Sequence, residues 1–194
     1  LETIYDQTTY RVQTEPLCSK TDCDLNCGPI ARRPRTLPEK TKKTIGSGGR
    51  KIVFVTLGGI PSSLPFIDRL KKLDDFFFIL AGQKNSCRYG KNVLFLPYRS
   101  PLYHPDLIAA ADLVVCKSGY STIAECSIAG ARVCSIGRPG FAESDFIGDF
   151  VQNRLGGTVI DYHEFLDGSW LNRLESFLVT DNRTIHENGA DAVA

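Results

Sequence analysis

The sequence predicts an α/β domain built on a doubly wound parallel sheet. Three observations carry that prediction. Short apolar runs rich in β-branched residues recur along the chain, each closes on glycine or proline, and helical patterns separate them. Strands that alternate with helices pair in parallel through right-handed crossovers, which places helices on both faces of one sheet.

The elements follow in order. Residues 52–57 read as a strand buried on both faces, followed by the turn from Gly58 to Ser63. Residues 64–73 carry Leu64, Ile67, Leu70 and Leu73 at a spacing of three, which we read as an amphipathic helix. Residues 76–81 form the next strand, closed by Gly82, and residues 93–96 another, ending at Pro97. A short helix over 105–110 leads to a strand at 113–116, and a helix over 121–129 closes on Gly130. A strand at 132–136, a helix over 143–153 and a strand at 158–160 follow. Helices over 170–178 and 183–192 are expected to complete the domain.

Residues 1–31 do not fit this alternation, and residues 10–14 offer only a lone strand. We therefore divide the chain into residues 1–49, the end of an upstream domain plus a basic interdomain linker, and residues 50–194, the α/β domain. The linker reading rests on eight basic residues against one acid over 32–51, interrupted by Pro34, Pro38 and the Gly46–Gly49 stretch. The chain starts at Leu1 and contains no methionine, so it reads as a piece of a longer protein.

The 194 residues are 42% hydrophobic and 23% charged, the composition of a globular domain rather than a disordered tail or a fibre. A formal net charge of +1 supplies no overall field for nucleic acid, and the basic run lacks interleaved aromatics. The apolar runs are far shorter than the roughly 20 residues of a membrane span. Cys18, Cys23 and Cys27 lie close together without paired zinc-ligand spacing or a fourth ligand nearby, so we expect no metal there. The remaining thiols are scattered and three lie in apolar runs, which suits a reducing cytoplasm.

Ligands of doubly wound folds bind outside the carboxyl ends of the strands, which directs attention to three loops. The strongest is Lys117-Ser118-Gly119-Tyr120-Ser121-Thr122, running into a helix that carries Glu125. Free N–H groups and the positive end of that helix suit a pyrophosphate, with Lys117 and the hydroxyls adding charge and donors. Glu125 is placed to accept hydrogen bonds from ribose hydroxyls; a capping box with Thr122 explains the same spacing. Gly58 and Gly59, after the first strand, allow close approach of a phosphate or sugar, or make a tight turn. They form no G-x-G-x-x-G, and the chain holds no G-x-x-x-x-G-K-[ST], so a dinucleotide cofactor and a P-loop are not indicated. In the third loop Glu143 and Ser144 stand at a helix start, able to meet sugar hydroxyls or simply to favour the dipole.

Residues 93–98 (VLFLPY), 117–125 (KSGYSTIAE) and 141–146 (FAESDF) together resemble the C-terminal half of GT-B glycosyltransferases, such as the peptidoglycan N-acetylglucosaminyltransferase and the UDP-glycosyltransferases. The likeness covers residues 28–194 and is specific at 112–145. It implies a Rossmann-like doubly wound parallel sheet, the GT-B C-terminal half, holding a nucleotide sugar of UDP type, with no cofactor. On that likeness Gly119, Tyr120, Ser121 and Thr122 hold the donor diphosphate and Glu125 the ribose. Pro97, Tyr98 and Arg99 flank the base, Glu143 and Ser144 meet the donor sugar, and Gly58 and Gly59 line the cleft. Two positions depart from the family pattern: Lys117 stands where plant members carry histidine, and Gly130-Ala131-Arg132 replaces Gly-x-Pro.

The resemblance implies an inverting transfer of a hexosyl group, with the acceptor and catalytic base unknown and supplied by an N-terminal half. Any membrane association would come through that half. A UDP-sugar hydrolase or epimerase of the same fold, and a non-catalytic nucleotide-sugar-binding module, are the alternatives. His104 and His163 read as surface or capping residues.

Overall fold

The computed structural model describes residues 7–58, 64–85, 87–179, 185 and 187–194. Two short strands, β1 (Val12–Thr14) and β2 (Leu25–Cys27), pair in parallel near the N-terminus. The main sheet has seven strands: β3 (Lys51–Thr56), β4 (Phe76–Gln83), β5 (Cys87–Tyr89), β6 (Val93–Pro97), β7 (Leu113–Lys117), β8 (Val133–Ile136) and β9 (Thr158–Ile160). Their spatial order is β5-β6-β4-β3-β7-β8-β9, all parallel except for the antiparallel edge strand β5.

Side chains alternate across each strand, so a doubly covered sheet must bury both sets. Val53 and Val55 of β3 join one apolar cluster with Phe66, Phe165 and Trp170. Ile52 and Phe54 join the other, with Leu107, Ile123, Ile147 and Phe150. The second cluster is roofed by α3 (His104–Ala110), α4 (Tyr120–Ala129) and α5 (Ser144–Asn153). The first is covered by α2 (Ile67–Leu70), α6 (Tyr162–Asp167), a 3-10 turn (Ser169–Arg173) and α7 (Leu174–Leu178).

Four expectations need correction. The segment read as a helix over 64–73 is helical only in α2, and the turns on either side of it close with i→i−3 bonds, as from Ile67 N–H to Leu64 O and from Leu73 N–H to Leu70 O. A strict spacing of three matches the 3-10 period as well as one side of an α-helix. Part of the supposed linker is an eight-residue helix, α1 (Pro38–Ile45), with Ile45 buried in the second cluster. Pro38 at its first turn and Gly46 at φ +66 beyond its end are helix punctuation rather than linker punctuation.

The helix expected over 170–178 is split into the 3-10 turn and α7, and α6 precedes it unannounced. Asp161 caps α6 by accepting the Glu164 N–H at 2.7 Å, and Gly168 at φ +73 ends it. The last helix, α8 (Gly189–Val193), occupies only the end of the stretch expected over 183–192, of which residues 183, 184 and 186 lie outside the described residues. Among the described residues, no helix is long and apolar enough to cross a membrane.

The N-terminal segment is tied to this domain. Asn188 brackets Ala31, accepting its N–H and donating to its carbonyl, and Arg33 pairs with Asp191. Asp106 of α3 accepts the backbone N–H groups of Arg35 and Thr36 at 2.6 and 3.0 Å.

Candidate functional site

The connection β3→β4 leaves the sheet in one direction and β6→β7 returns to the other side of β3. The strand order therefore reverses between β3 and β7, and there the loops diverge to leave a crevice at the carboxyl ends. Gly58 follows β3 and Gly119 follows β7, so the two glycine loops flank that point. Gly58 has φ +62, and a Cβ there would lie 2.9 Å from Lys117 Nζ. The lysine side chain thus lies over the glycine turn, which a larger residue would displace.

Gly119 is the N-cap of α4 in an extended conformation, and no side chain caps the helix. The Thr122–Glu125 capping box is therefore not formed. The first-turn N–H groups of this ten-residue helix have no intrahelical acceptor, and the dipole adds positive potential to that of Lys117. Ser121 is exposed and Thr122 half-buried beside these donors.

Other expected contacts turn elsewhere. Ser118 is fully buried, its hydroxyl donating to Ile136 O and bonded to Ser135 Oγ, each at 3.0 Å. Tyr120 reaches the N-terminal segment, where its hydroxyl bonds to Glu15 O and Thr14 Oγ1. Ser144 is buried and accepts the Arg138 N–H at 2.9 Å, which closes its own loop. Glu143 is exposed at the N-cap of α5 without making a side-chain cap. That loop walls a separate cavity of about 530 Å³, where Arg138 stacks on Phe141. Gly59 lies outside the described residues. Among the described residues, no three His, Cys, Asp or Glu side chains are grouped to hold a metal ion.

A cleft of about 410 Å³ opens on the other flank of Gly58. Its walls include Thr56, Pro97, the exposed Tyr98, Tyr103 and His104, with Arg32 and Arg35 above. Both arginines stack on the Tyr103 ring, Arg35 at 4.1 Å from its centre. Arg32, read from the sequence as part of a basic linker, and His104, read as a surface or capping residue, both converge on Glu125, and His104 caps no helix. Arg32 Nε donates to Oε1 at 2.6 Å and His104 Nδ1 lies 2.9 Å from Oε2. Glu125 is only 3% exposed, so these partners satisfy a charge that burial would otherwise oppose.

Burial pushes the Glu125 carboxyl up, but the bonds and charges of His104 and Arg32 outweigh it and hold the group below its ordinary value. Asp106 is held low in the same way: burial is outweighed by the Arg35 and Thr36 N–H bonds. Carboxyls depressed by folding stabilise the protein above their unfolded pKa, and that contribution is lost as pH falls through the folded one. The melting temperature is therefore expected to fall steeply once pH drops below about 4. Asp106→Asn should cost about 1 kcal/mol at pH 7 and flatten part of the acid decline. Melting curves of the two proteins between pH 7 and pH 3 check both statements, and parallel declines would contradict them.

No protein-family model and no curated protein matches the sequence. Solved structures do match. The forosaminyltransferase SpnP of spinosyn superposes over 88% of this chain with a TM-score of 0.60 at 16% identity. The calicheamicin glycosyltransferase CalG4 gives 82%, 0.56 and 15%. The glycosyltransferase of kitacinnamycin gives 78%, 0.52 and 20%. The fold is that of one half of a GT-B glycosyltransferase. The chain spans 48%, 41% and 36% of the lengths of those three proteins. The matched half is C-terminal-like, a Rossmann-like α/β layer.

Proposed function

We propose that this chain is the nucleotide-diphospho-sugar-binding half of an inverting glycosyltransferase that moves a hexosyl group to an acceptor held by another half. The observation that carries the reading is the uncapped α4 N-terminus at the strand-order reversal, with Lys117 laid across Gly58. A diphosphate at that position receives the first-turn N–H groups of residues 120–122, the hydroxyls of Ser121 and Thr122 and the Lys117 charge. Tyr98 flanks the base, and Glu143 faces the donor sugar. We assign no nucleic-acid partner, and place the protein in the cytoplasm on the strength of its scattered thiols.

In the transfer, an acceptor oxygen attacks the anomeric carbon opposite the diphosphate and gives its proton to a base on the other half. The carbon–oxygen bond to phosphate breaks, and the charge that grows on the leaving diphosphate is met by the α4 terminus and Lys117. These fixed donors stabilise the transition state more than the ground state, which is the requirement for catalysis.

Calorimetric titration of the chain with UDP, GDP and TDP tests the reading. Saturable binding of at least one nucleotide, with UDP expected to be tightest, is the predicted result. Absence of heat with all three would overturn it.

A further inference from the structure

Glu125 does not reach the wall of the cleft: Thr56, His104, Arg32 and Arg35 line it, and Glu125 lies behind them, 3% exposed. A ligand in the cleft meets the imidazole first. Both carboxylate oxygens are already engaged, Oε1 by Arg32 and Oε2 by His104. An ionised carboxylate only accepts hydrogen bonds, so His104 must carry a proton on Nδ1 to bond Oε2. In the neutral imidazole that leaves Nε2 as an acceptor, and Nε2 lies 3.3 Å from Thr56 Oγ1. That distance is long for an O–H···N bond, so the lone pair is only loosely satisfied from within the protein. The ring itself is held edge-on to Phe54, with centroids 5.1 Å apart. Arg32, on the other oxygen, balances the Glu125 charge.

We propose that His104, with Thr56, is the ligand-contacting pair at this end of the sheet, and that Glu125 is its positioning residue. A hydroxyl of the bound nucleotide sugar is met by His104 Nε2 and Thr56 Oγ1 rather than by the Glu125 carboxylate. Glu125 acts through the ring, fixing its tautomer and plane, as carboxylates orient imidazoles in other sites. The proposal rests on the nucleotide-sugar reading and replaces its direct carboxylate–ribose contact with a relayed one.

The relayed and direct contacts differ in how substitutions combine. If Glu125 works only through His104, removing both costs no more than removing either. His104→Ala and Glu125→Ala are each expected to weaken UDP binding about tenfold, near one hydrogen bond. The double variant is expected to be no weaker than the worse single one. Losses that multiply toward a hundredfold would show Glu125 meeting the ligand itself and overturn the proposal. Glu125→Gln replaces the alanine variant if the latter does not fold, as judged by thermal melting.

A second readout needs no substitution. The ring nitrogens of His104, observed by ¹⁵N NMR on the wild-type chain at pH 8, should show protonated Nδ1 and bare Nε2. The Nε2 resonance should move on addition of UDP. The opposite tautomer, or an Nε2 signal unmoved at saturating UDP, would overturn the proposal while leaving the nucleotide reading intact. If UDP, GDP and TDP all fail to bind, the nucleotide reading and the ligand contact fall together. The tautomer would then still report whether Glu125 positions the ring.

Discussion

A Gly119→Asp protein is expected to be slightly more stable than the wild type and to bind UDP on the order of a hundredfold more weakly. The two effects have opposite signs because one feature produces both. Gly119 is the N-cap of α4, extended at φ −155°, and a Cβ there meets its nearest neighbours only at 3.7 Å or more. Aspartate therefore fits without strain. Its carboxylate accepts first-turn N–H groups that no side chain now caps, and it opposes the positive end of the dipole. Together these contribute about 0.5–1 kcal/mol. The same carboxylate occupies the donors assigned to the diphosphate and repels its charge; at about 4 Å such a repulsion is worth a few kcal/mol near a protein surface. A melting curve and a calorimetric titration on one sample decide the matter. Unchanged UDP affinity in a stabilised protein would place the phosphates elsewhere.

Trp170→Ala is expected to destabilise the fold by about 3–5 kcal/mol, a large share of the 5–15 kcal/mol that holds a typical domain together. Trp170 is fully buried against Phe66 at 5.6 Å in a perpendicular arrangement and Phe165 at 6.1 Å in a stacked one. Its indole N–H has no hydrogen-bond partner among the described residues, so the loss is of packed apolar volume rather than of a polar contact. The residue comes from the 3-10 turn that closes the face opposite α4, so UDP affinity should hold wherever the variant remains folded. Trp170 is the only tryptophan, so urea denaturation must be followed by circular dichroism rather than by indole fluorescence. A loss below 1 kcal/mol would contradict the packing of this face.

The parts of the fold that were legible in the sequence are those governed by local periodicity. Strands such as Lys51–Thr56 and Phe76–Gln83 are buried on both faces, so their apolar residues run on without alternating. The α4 turn was legible for a related reason: glycine, hydroxyls and helix start are adjacent in the chain. Local signals misled where one pattern serves two structures. Proline and glycine bracket linkers and helices alike, which concealed α1, and a spacing of three suits both helix types, which lengthened α2. The Asp161–Glu164 cap of α6 was readable as an N-terminal signature but stood in a segment without strong periodicity.

By itself, then, the sequence determined the alternation of strands and helices and the glycine loops at the carboxyl ends, because both depend on neighbours within a few residues. Only the tertiary structure decided which hydroxyls face the crevice. Ser118, Tyr120 and Ser144 look like donors in the sequence and are engaged inside the protein. Only it joined Arg32 and His104 to Glu125 across 93 and 21 positions. A buried carboxylate must find its hydrogen-bond donors wherever the fold brings them, and no local pattern records that distance.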